Sequence, residues 1–341
     1  MLEKSPIQHR LIHVNDADPG LKRIRCGTGF RYVDCHRHAV SVTEKARIAA
    51  LAIPPAWNDV WICPDQHGHI QATGRDARGR KQYIYHPEWM TQRAQSKFSS
   101  LQDFGQKLSG LRQKIDADMR RRYLGREKVV ATVIWMMDRL LLRVGNPGYA
   151  RENKSFGITT LRNRHVKNAG AGLRLVFTGK SGKSWNLKLS DRRIARIVRS
   201  VQELPGQQLF QYIDEEGNRR AVCSQDINDY LQDAMGAEFT SKHFRTWAAT
   251  AEAVEALCST KLPQSEAARK RALNQVIDQI ALALGNTRAV CRSAYIHPGV
   301  IEHWKQGTLA REVEAAGGRR LVAPRLSKAE RETLKWLIAN A

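Results

Sequence analysis

Between Leu101 and Met119 the apolar positions Leu101, Phe104, Leu108, Leu111, Ile115 and Met119 recur at intervals of three and four residues. That period lays them along one stripe and predicts a long amphipathic helix. Helical patterns dominate from there to the C-terminal end, with N-caps read at Ser190, Ser224, Ser241 and Ser265 and with Gly285 ending the last of these helices. One segment breaks the pattern. Leu173, Leu175 and Phe177 alternate with polar residues, as do Trp185, Leu187 and Leu189, and the two runs flank Gly179-Lys180-Ser181-Gly182-Lys183. A β-hairpin inside a helical region is the reading. From Lys22 to Pro87, frequent Gly and Pro separate short runs such as FRYV, DVWI, HIQA and QYIY, the signature of strands. One helix interrupts them, starting near Ser41 or Thr43 and ending before Pro54-Pro55, because proline cannot continue the helical ladder. Glu88 to Lys97 reads as a connection. The expected fold class is α+β: a small β-rich N-terminal domain, residues 1–90, and a larger, mainly α-helical domain, residues 91–341, that carries the hairpin.

Charge adds a partner to this outline. The 56 Lys and Arg exceed the 33 Asp and Glu by 23 over 341 residues, while 42% hydrophobic residues and 8 Trp supply a core and exclude a disordered chain. So strong a positive field concentrates polyanions, and nucleic acid is the first candidate, with an anionic membrane surface as competitor. A membrane span is excluded, since the apolar run Val129 to Met137 meets Asp138 and Arg139 well short of about 18 residues. The opening MLEKSPIQHR has no apolar core after a basic region, so no secretion signal is expected. Cysteines at 26, 35, 63, 223, 258 and 291 show no C-x-x-C spacing and read as reduced thiols of a cytoplasmic protein.

Several motifs tempt and fail. GKSGKS on the hairpin would need Gly where Phe177 stands to be a phosphate loop, and Gly27-Thr28-Gly29 meets Tyr32 where a dinucleotide loop needs a third glycine. Cys35, His36, His38 and Cys63 are too irregularly spaced for zinc, and Asp116-Ala117-Asp118 sits among basic residues and reads as solvated helix surface. No metal and no nucleotide cofactor is expected.

Breaking a phosphodiester without either requires cations around the phosphoryl oxygens, a nucleophile, and an acid for the departing oxygen. The C-terminal half holds such a set. LLLRVGNPGYARENKSFGITTLRNRHV carries Arg143, FTGKSGK carries Lys180, SKHFRTWAAT carries Arg245, and LGNTRAVCRSAYIHPG places Asn286 and Tyr295 nine residues apart. Taken singly, each has a plain structural role open to it: surface charge, turn lysine, helix cap, core tyrosine.

In these blocks, and in GFRYVD, ALAIPPAW and GRDARGRKQYIYH, the chain resembles the type IB DNA topoisomerases, specifically their compact poxvirus-like bacterial group. The resemblance covers nearly the whole chain. It implies a monomer of the cytoplasm and bacterial nucleoid that acts on double-stranded DNA as a C-shaped clamp and needs no cofactor. It implies that Tyr295 attacks the scissile phosphorus, leaving a 3′-phosphotyrosyl link, and that Arg143, Arg245 and Asn286 hold the nonbridging oxygens. Many relatives carry His where Asn286 stands, and an amide binds oxygen but transfers no proton. Lys180 is then the general acid for the 5′ oxygen, with Lys242 assisting. A phenol with an ordinary pKa near 10 must lose its proton during attack, and the sequence names no base. Gln82, Tyr83 and Tyr85, with Arg80 and Lys81, are the implied DNA contacts of the N-terminal domain, against a core role for the two tyrosines. Asn153, Thr159, Thr160 and His165 fall in a block used near the scissile strand, with helix capping open for the threonines. Two other functions stay open: a tyrosine recombinase, which would show His-x-x-Arg where this chain has Lys242-His243-Phe244-Arg245, and a DNA-compacting protein that uses only the charge.

Overall fold

The computed structural model describes residues 11–236, 239–318 and 320–340. The fold is α+β. The chain divides into two units, Met1–Lys97 and Phe98–Ala341.

In the first unit, β1 (Leu21–Cys26), β2 (Gly29–Val33), β3 (Asn58–Ile62), β4 (Ile70–Arg75) and β5 (Lys81–Tyr85) form one antiparallel sheet in the order β2-β1-β3-β4-β5. Gly27 makes the β1–β2 turn with φ +57°, a conformation that glycine adopts freely. Helix α1 (Val42–Ala50) starts at Ser41, whose hydroxyl accepts from the Glu44 N–H at 3.1 Å. Leu21, Ile48, Val60, Ile62 and Ala72 close the core between sheet and helix.

Helix α2 spans Pro87–Met119, so 88–97 is helical where the sequence reads as a connection. Proline suits a first helical position, where its missing N–H has no partner to lose. The remaining helices are α3 (Arg126–Leu140), α4 (Pro147–Glu152), α5 (Arg192–Gln202), α6 (Ser224–Met235), α7 (Ser241–Ser259), α8 (Glu266–Leu284), α9 (Arg288–Ala294), α10 (Pro298–Gln306), α11 (Leu309–Gly317) and α12 (Lys328–Ala339). All six stripe residues of α2 are at most 2% exposed. Helix α7 packs against α3, α8, α10, α11 and α12 and runs through the middle of this core.

Three caps fall one residue away from the serines read from sequence, one residue after Ser190 and one residue before Ser224 and Ser241. Asp191, Cys223 and Thr240 precede α5, α6 and α7, and the Asp191 carboxylate accepts from both Arg193 and Ile194 N–H groups. Ser265 caps α8 as expected. The hairpin is present as β7 (Gly172–Thr178) and β8 (Ser184–Leu189), but a third strand, β6 (Val166–Ala169), pairs with β7. Its sequence VKNA has no apolar alternation to announce it. A further pair, β9 (Gln211–Ile213) and β10 (Arg219–Ala221), precedes α6.

Asp116 and Asp118 correct another expectation. Asp118 is 4% exposed and accepts from Lys114, Arg121 and the Tyr230 hydroxyl, while Asp116 pairs with Arg193 and Arg325. Two of the basic neighbours that suggested a solvated face, Lys114 and Arg121, are partners of Asp118. Deeper still, Arg112 of α2 is bonded to Asp138 at 2.8 and 2.9 Å and to Glu330 at 2.7 and 2.8 Å, and Glu330 also accepts from the Trp247 indole at 3.0 Å. Burial opposes the charge, yet the two carboxylates outweigh it and raise the guanidinium pKa. Arg112→Ala leaves two buried carboxylates unpaired and should cost about 3–5 kcal/mol, measured by urea unfolding. A loss below about 1 kcal/mol would mean the network is effectively solvated.

Candidate active site

One arginine joins two helices of the second unit that end in left-handed residues. Helix α3 stops at Leu141, φ +52°, and α8 stops at Gly285, φ +62°. Each helix end leaves carbonyls without intrahelical donors. Arg245, on α7, donates Nη1–H to the Leu141 carbonyl and Nη2–H to the Leu284 carbonyl, the latter at 2.6 Å. It is only 3% exposed. Burial, then repulsion from the Arg143 charge, pulls its pKa below the usual arginine value, and the Tyr295 phenol works in the opposite direction.

The residues that follow these helix ends meet. Asn286 continues from Gly285 in a Schellman arrangement, with Gly285 N–H on the Leu282 carbonyl and Asn286 N–H on the Ala281 carbonyl. Thr287, not Asn286, caps α9 by accepting from the Val290 N–H. The Asn286 side chain is therefore free of capping, and its Oδ1 accepts from Nη2 of Arg143. Arg143 is fixed by its own loop. Its carbonyl accepts from Ile158 N–H at 2.8 Å, and the Thr159 hydroxyl holds both the N–H and the carbonyl of Gly145. Thr160 crowds the same glycine, where a methyl group would fall 2.2 Å from its hydroxyl oxygen. His165 is buried, and its Nδ1 accepts from Arg162 N–H. Asn153 ends α4.

Tyr295 stands at the end of α9, with its N–H on the Cys291 carbonyl at 3.0 Å. The Arg245 Cζ lies 5.1 Å from its ring centroid, within cation–π range. Helix α7 holds it a second way: the buried Thr250 hydroxyl donates to the Tyr295 carbonyl at 3.3 Å and accepts from His297 N–H at 3.2 Å. Arg143, Asn286, Arg245 and Tyr295 thus form one cluster. Two of its donors, Nε of Arg245 and Nδ2 of Asn286, are buried without an acceptor among the described residues. An unmet buried donor costs about 1–3 kcal/mol, so the cluster is poised for an oxyanion.

Lys180 sits exposed at the turn between β7 and β8, where Ser181 takes φ +62°. Ser155 anchors the turn by donating to the Gly179 carbonyl at 2.9 Å. Lys242 is exposed one turn before Arg245. Among the described residues no hydrogen bond joins either lysine to the cluster.

In the first unit, the strand period of β5 turns Lys81, Tyr83 and Tyr85 to one face and Gln82 and Ile84 to the other. Tyr83 and Tyr85 stack at 5.8 Å and are 42% and 37% exposed, which excludes the core role. Gln82 donates to Asp76 at 3.0 Å, Arg80 pairs with Asp76, and Lys81 pairs with Asp16. Arg80 leads the groups that hold the Asp76 carboxyl down at about 2. Of the residues weighed for zinc, Cys63 is buried while Cys35, His36 and His38 are exposed.

Residues 84–316 match the family described as eukaryotic DNA topoisomerase I, catalytic core, and residues 29–76 match that described as bacterial DNA topoisomerase IB, N-terminal domain. The chain is 34% identical over 285 residues to the DNA topoisomerase 1B of Acanthamoeba polyphaga mimivirus, covering 81% of this chain and 85% of that protein. The chain belongs to the type IB DNA topoisomerases. This topoisomerase is an isomerase, and no helix among its described residues is long and apolar enough to cross a membrane.

Two topoisomerase residues drew no notice in the sequence, because a threonine and a histidine in helical patterns carry no signal of their own. Thr250 is one. The other, His297, lies two residues past Tyr295 and uses Nδ1 to accept from Gly299 N–H at 3.2 Å, capping α10. Burial and the nearby His303 lower its pKa to about 4. The folded state therefore prefers the neutral ring, so this stabilisation is complete above about pH 6.5 and is lost as the pH falls toward 4. His165, lowered to about 4 mainly by burial, adds in the same direction. Unfolding free energy should decline across that window, and His297→Asn, which keeps a capping acceptor without titrating, should flatten the decline by up to about 3 kcal/mol. An unchanged pH profile in the variant would show that His297 is not held neutral.

Proposed function

We propose that this topoisomerase relaxes supercoiled DNA by cutting and resealing one strand at Tyr295, without ATP or metal. The observation that carries the reading is the convergence of a tyrosine, two arginines and an amide with two unmet donors at two helix ends. In this reading the Tyr295 oxygen bonds to phosphorus as the P–O5′ bond breaks, giving a 3′-phosphotyrosyl link that stores the energy for resealing. The remaining donors of Arg143 and Arg245, with Nδ2 of Asn286, hold the nonbridging oxygens through the pentacoordinate state. Arg245 beside the phenol favours its anion, and the phenolic proton leaves to water. Lys180 gives its proton to the 5′ oxygen, with Lys242 assisting.

The stacked pair Tyr83 and Tyr85, with Lys81 on the same face of β5, supports contact of the first unit with duplex DNA. Arg80 and Gln82 join it by leaving Asp76 for the phosphates and bases. A monomer that closes on DNA as a C-shaped clamp in the bacterial nucleoid belongs to the same proposal.

Incubated with negatively supercoiled plasmid in EDTA without ATP, the protein should relax it, while Tyr295→Phe should bind DNA and leave supercoils untouched. Relaxation by the Phe variant at the wild-type rate would end the proposal. For Lys180, cleavage is compared on normal DNA and on DNA with a 5′-bridging sulfur, because a thiolate leaves without a proton. Lys180→Ala should lose about 10²-fold or more on oxygen and recover on sulfur. Equal losses on both would remove Lys180 as the acid.

A further inference from the structure

Lys180 and Asn286 lie on separate elements, yet each directly follows a glycine, and the two glycines touch the same side chain. A methyl group at Gly179 would fall 2.5 Å from Nε1 of Trp185, and one at Gly285 would fall 2.6 Å from Cζ2 of the same indole. The pyrrole edge of Trp185 thus abuts the residue before Lys180, and its benzo edge abuts the residue before Asn286. Gly179 has φ −97°, so nothing in its backbone demands glycine, and the indole is the reason a side chain is excluded there. The ring is held from behind by Phe177, its cross-strand partner, nearly parallel at 6.3 Å and 13°. Lys183 adds a parallel tie from the hairpin to α8, reaching the Leu282 carbonyl at 3.4 Å.

We propose that Trp185 is a positioning residue: a rigid spacer that sets the Lys180 turn at a fixed distance from the Arg143–Asn286–Arg245–Tyr295 cluster. An indole has two torsions and a planar shape, so it transmits position with little freedom. Among the described residues, the side chain of the lysine on its exposed turn has no hydrogen-bond or ion-pair partner that would otherwise fix its reach. Proton transfer needs the donor within hydrogen-bond distance of the leaving oxygen, so a shift of the turn penalises that step and leaves the cluster's hold on the nonbridging oxygens intact.

The inference rests on Lys180 as the acid, and the bridging-sulfur substrate separates the two. When the Tyr295 oxygen bonds to phosphorus, the P–O5′ bond breaks and the 5′ oxygen takes the Lys180 proton; with sulfur, the P–S bond breaks and the thiolate departs unprotonated. Trp185→Ala should slow single-turnover cleavage of normal DNA by about 10-fold or more and recover to within about 3-fold of wild type on the sulfur substrate. Gly179→Ala, which displaces the indole without removing core surface, should behave alike, so that poor folding of one variant does not decide the matter. Equal slowing on both substrates by these variants, or no slowing on either, overturns the role for Trp185 alone if Lys180→Ala is rescued by sulfur. Failure of sulfur to rescue Lys180→Ala overturns both the acid and the spacer.

Discussion

The architecture of the second unit turns on one desolvated guanidinium. Arg245 lies near the N-terminal end of α7 and gives two N–H bonds to carbonyls that α3 and α8 leave unmet at their C-terminal ends. A cation is favoured there by both helix dipoles. The exchange is mutual: the helix ends satisfy a buried charge that would otherwise be costly, and the charge fixes where those helices stop. Both helices then hand on directly to side chains of the cluster, Arg143 two residues after Leu141 and Asn286 two residues after Leu284.

It follows that the cluster is built from ends of elements. Leu141 and Gly285 are left-handed exits, Tyr295 terminates α9, and Lys180 occupies a hairpin turn. An end residue has a backbone fixed on one side by regular hydrogen bonds and a side chain that the packed body of the element no longer covers. Such positions give placement and access together. Thr159 clamped on Gly145 and Thr250 clamped on the Tyr295 carbonyl serve the same purpose from neighbouring segments.

What could be read in advance divides along physical lines. The stripe on α2, the alternation in β7 and β8, and the Ser265-to-Gly285 limits of α8 were legible because each follows from a local period or a cap. The early start of α2 and the strand β6 were not, since one depends on a proline placed where it does no harm and the other on pairing with β7 alone. The grouping of Arg143, Asn286, Arg245 and Tyr295 was suggested by resemblance in several blocks together, not by any single residue. Burial of Arg245 was not legible at all, because its partners are carbonyls, and every sequence has those. Taken alone, Asn286 reads as a helix cap, whereas Thr287 fills that role in the structure. Asp118 looked solvated because its cationic neighbours were counted as exposure rather than as partners.

The excess of 23 positive charges can be apportioned on the same footing. Arg245 is buried, and Arg143 is tied to Asn286, so neither presents a mobile charge to a passing polyanion. On β5 and its turn, Lys81 and Arg80 are already countered by Asp16 and Asp76. Exposed pairs of this kind are weak, and a phosphate can replace the carboxylate at small cost. Attraction to a duplex is thus a property of many loosely held cations, weakened by salt in proportion to the counterions released. The Arg245 contacts sit behind the surface where mobile ions do not screen them. In the proposed reading the net charge governs how the chain is held to DNA, while the two helix ends and one buried arginine govern the geometry offered to a single phosphate.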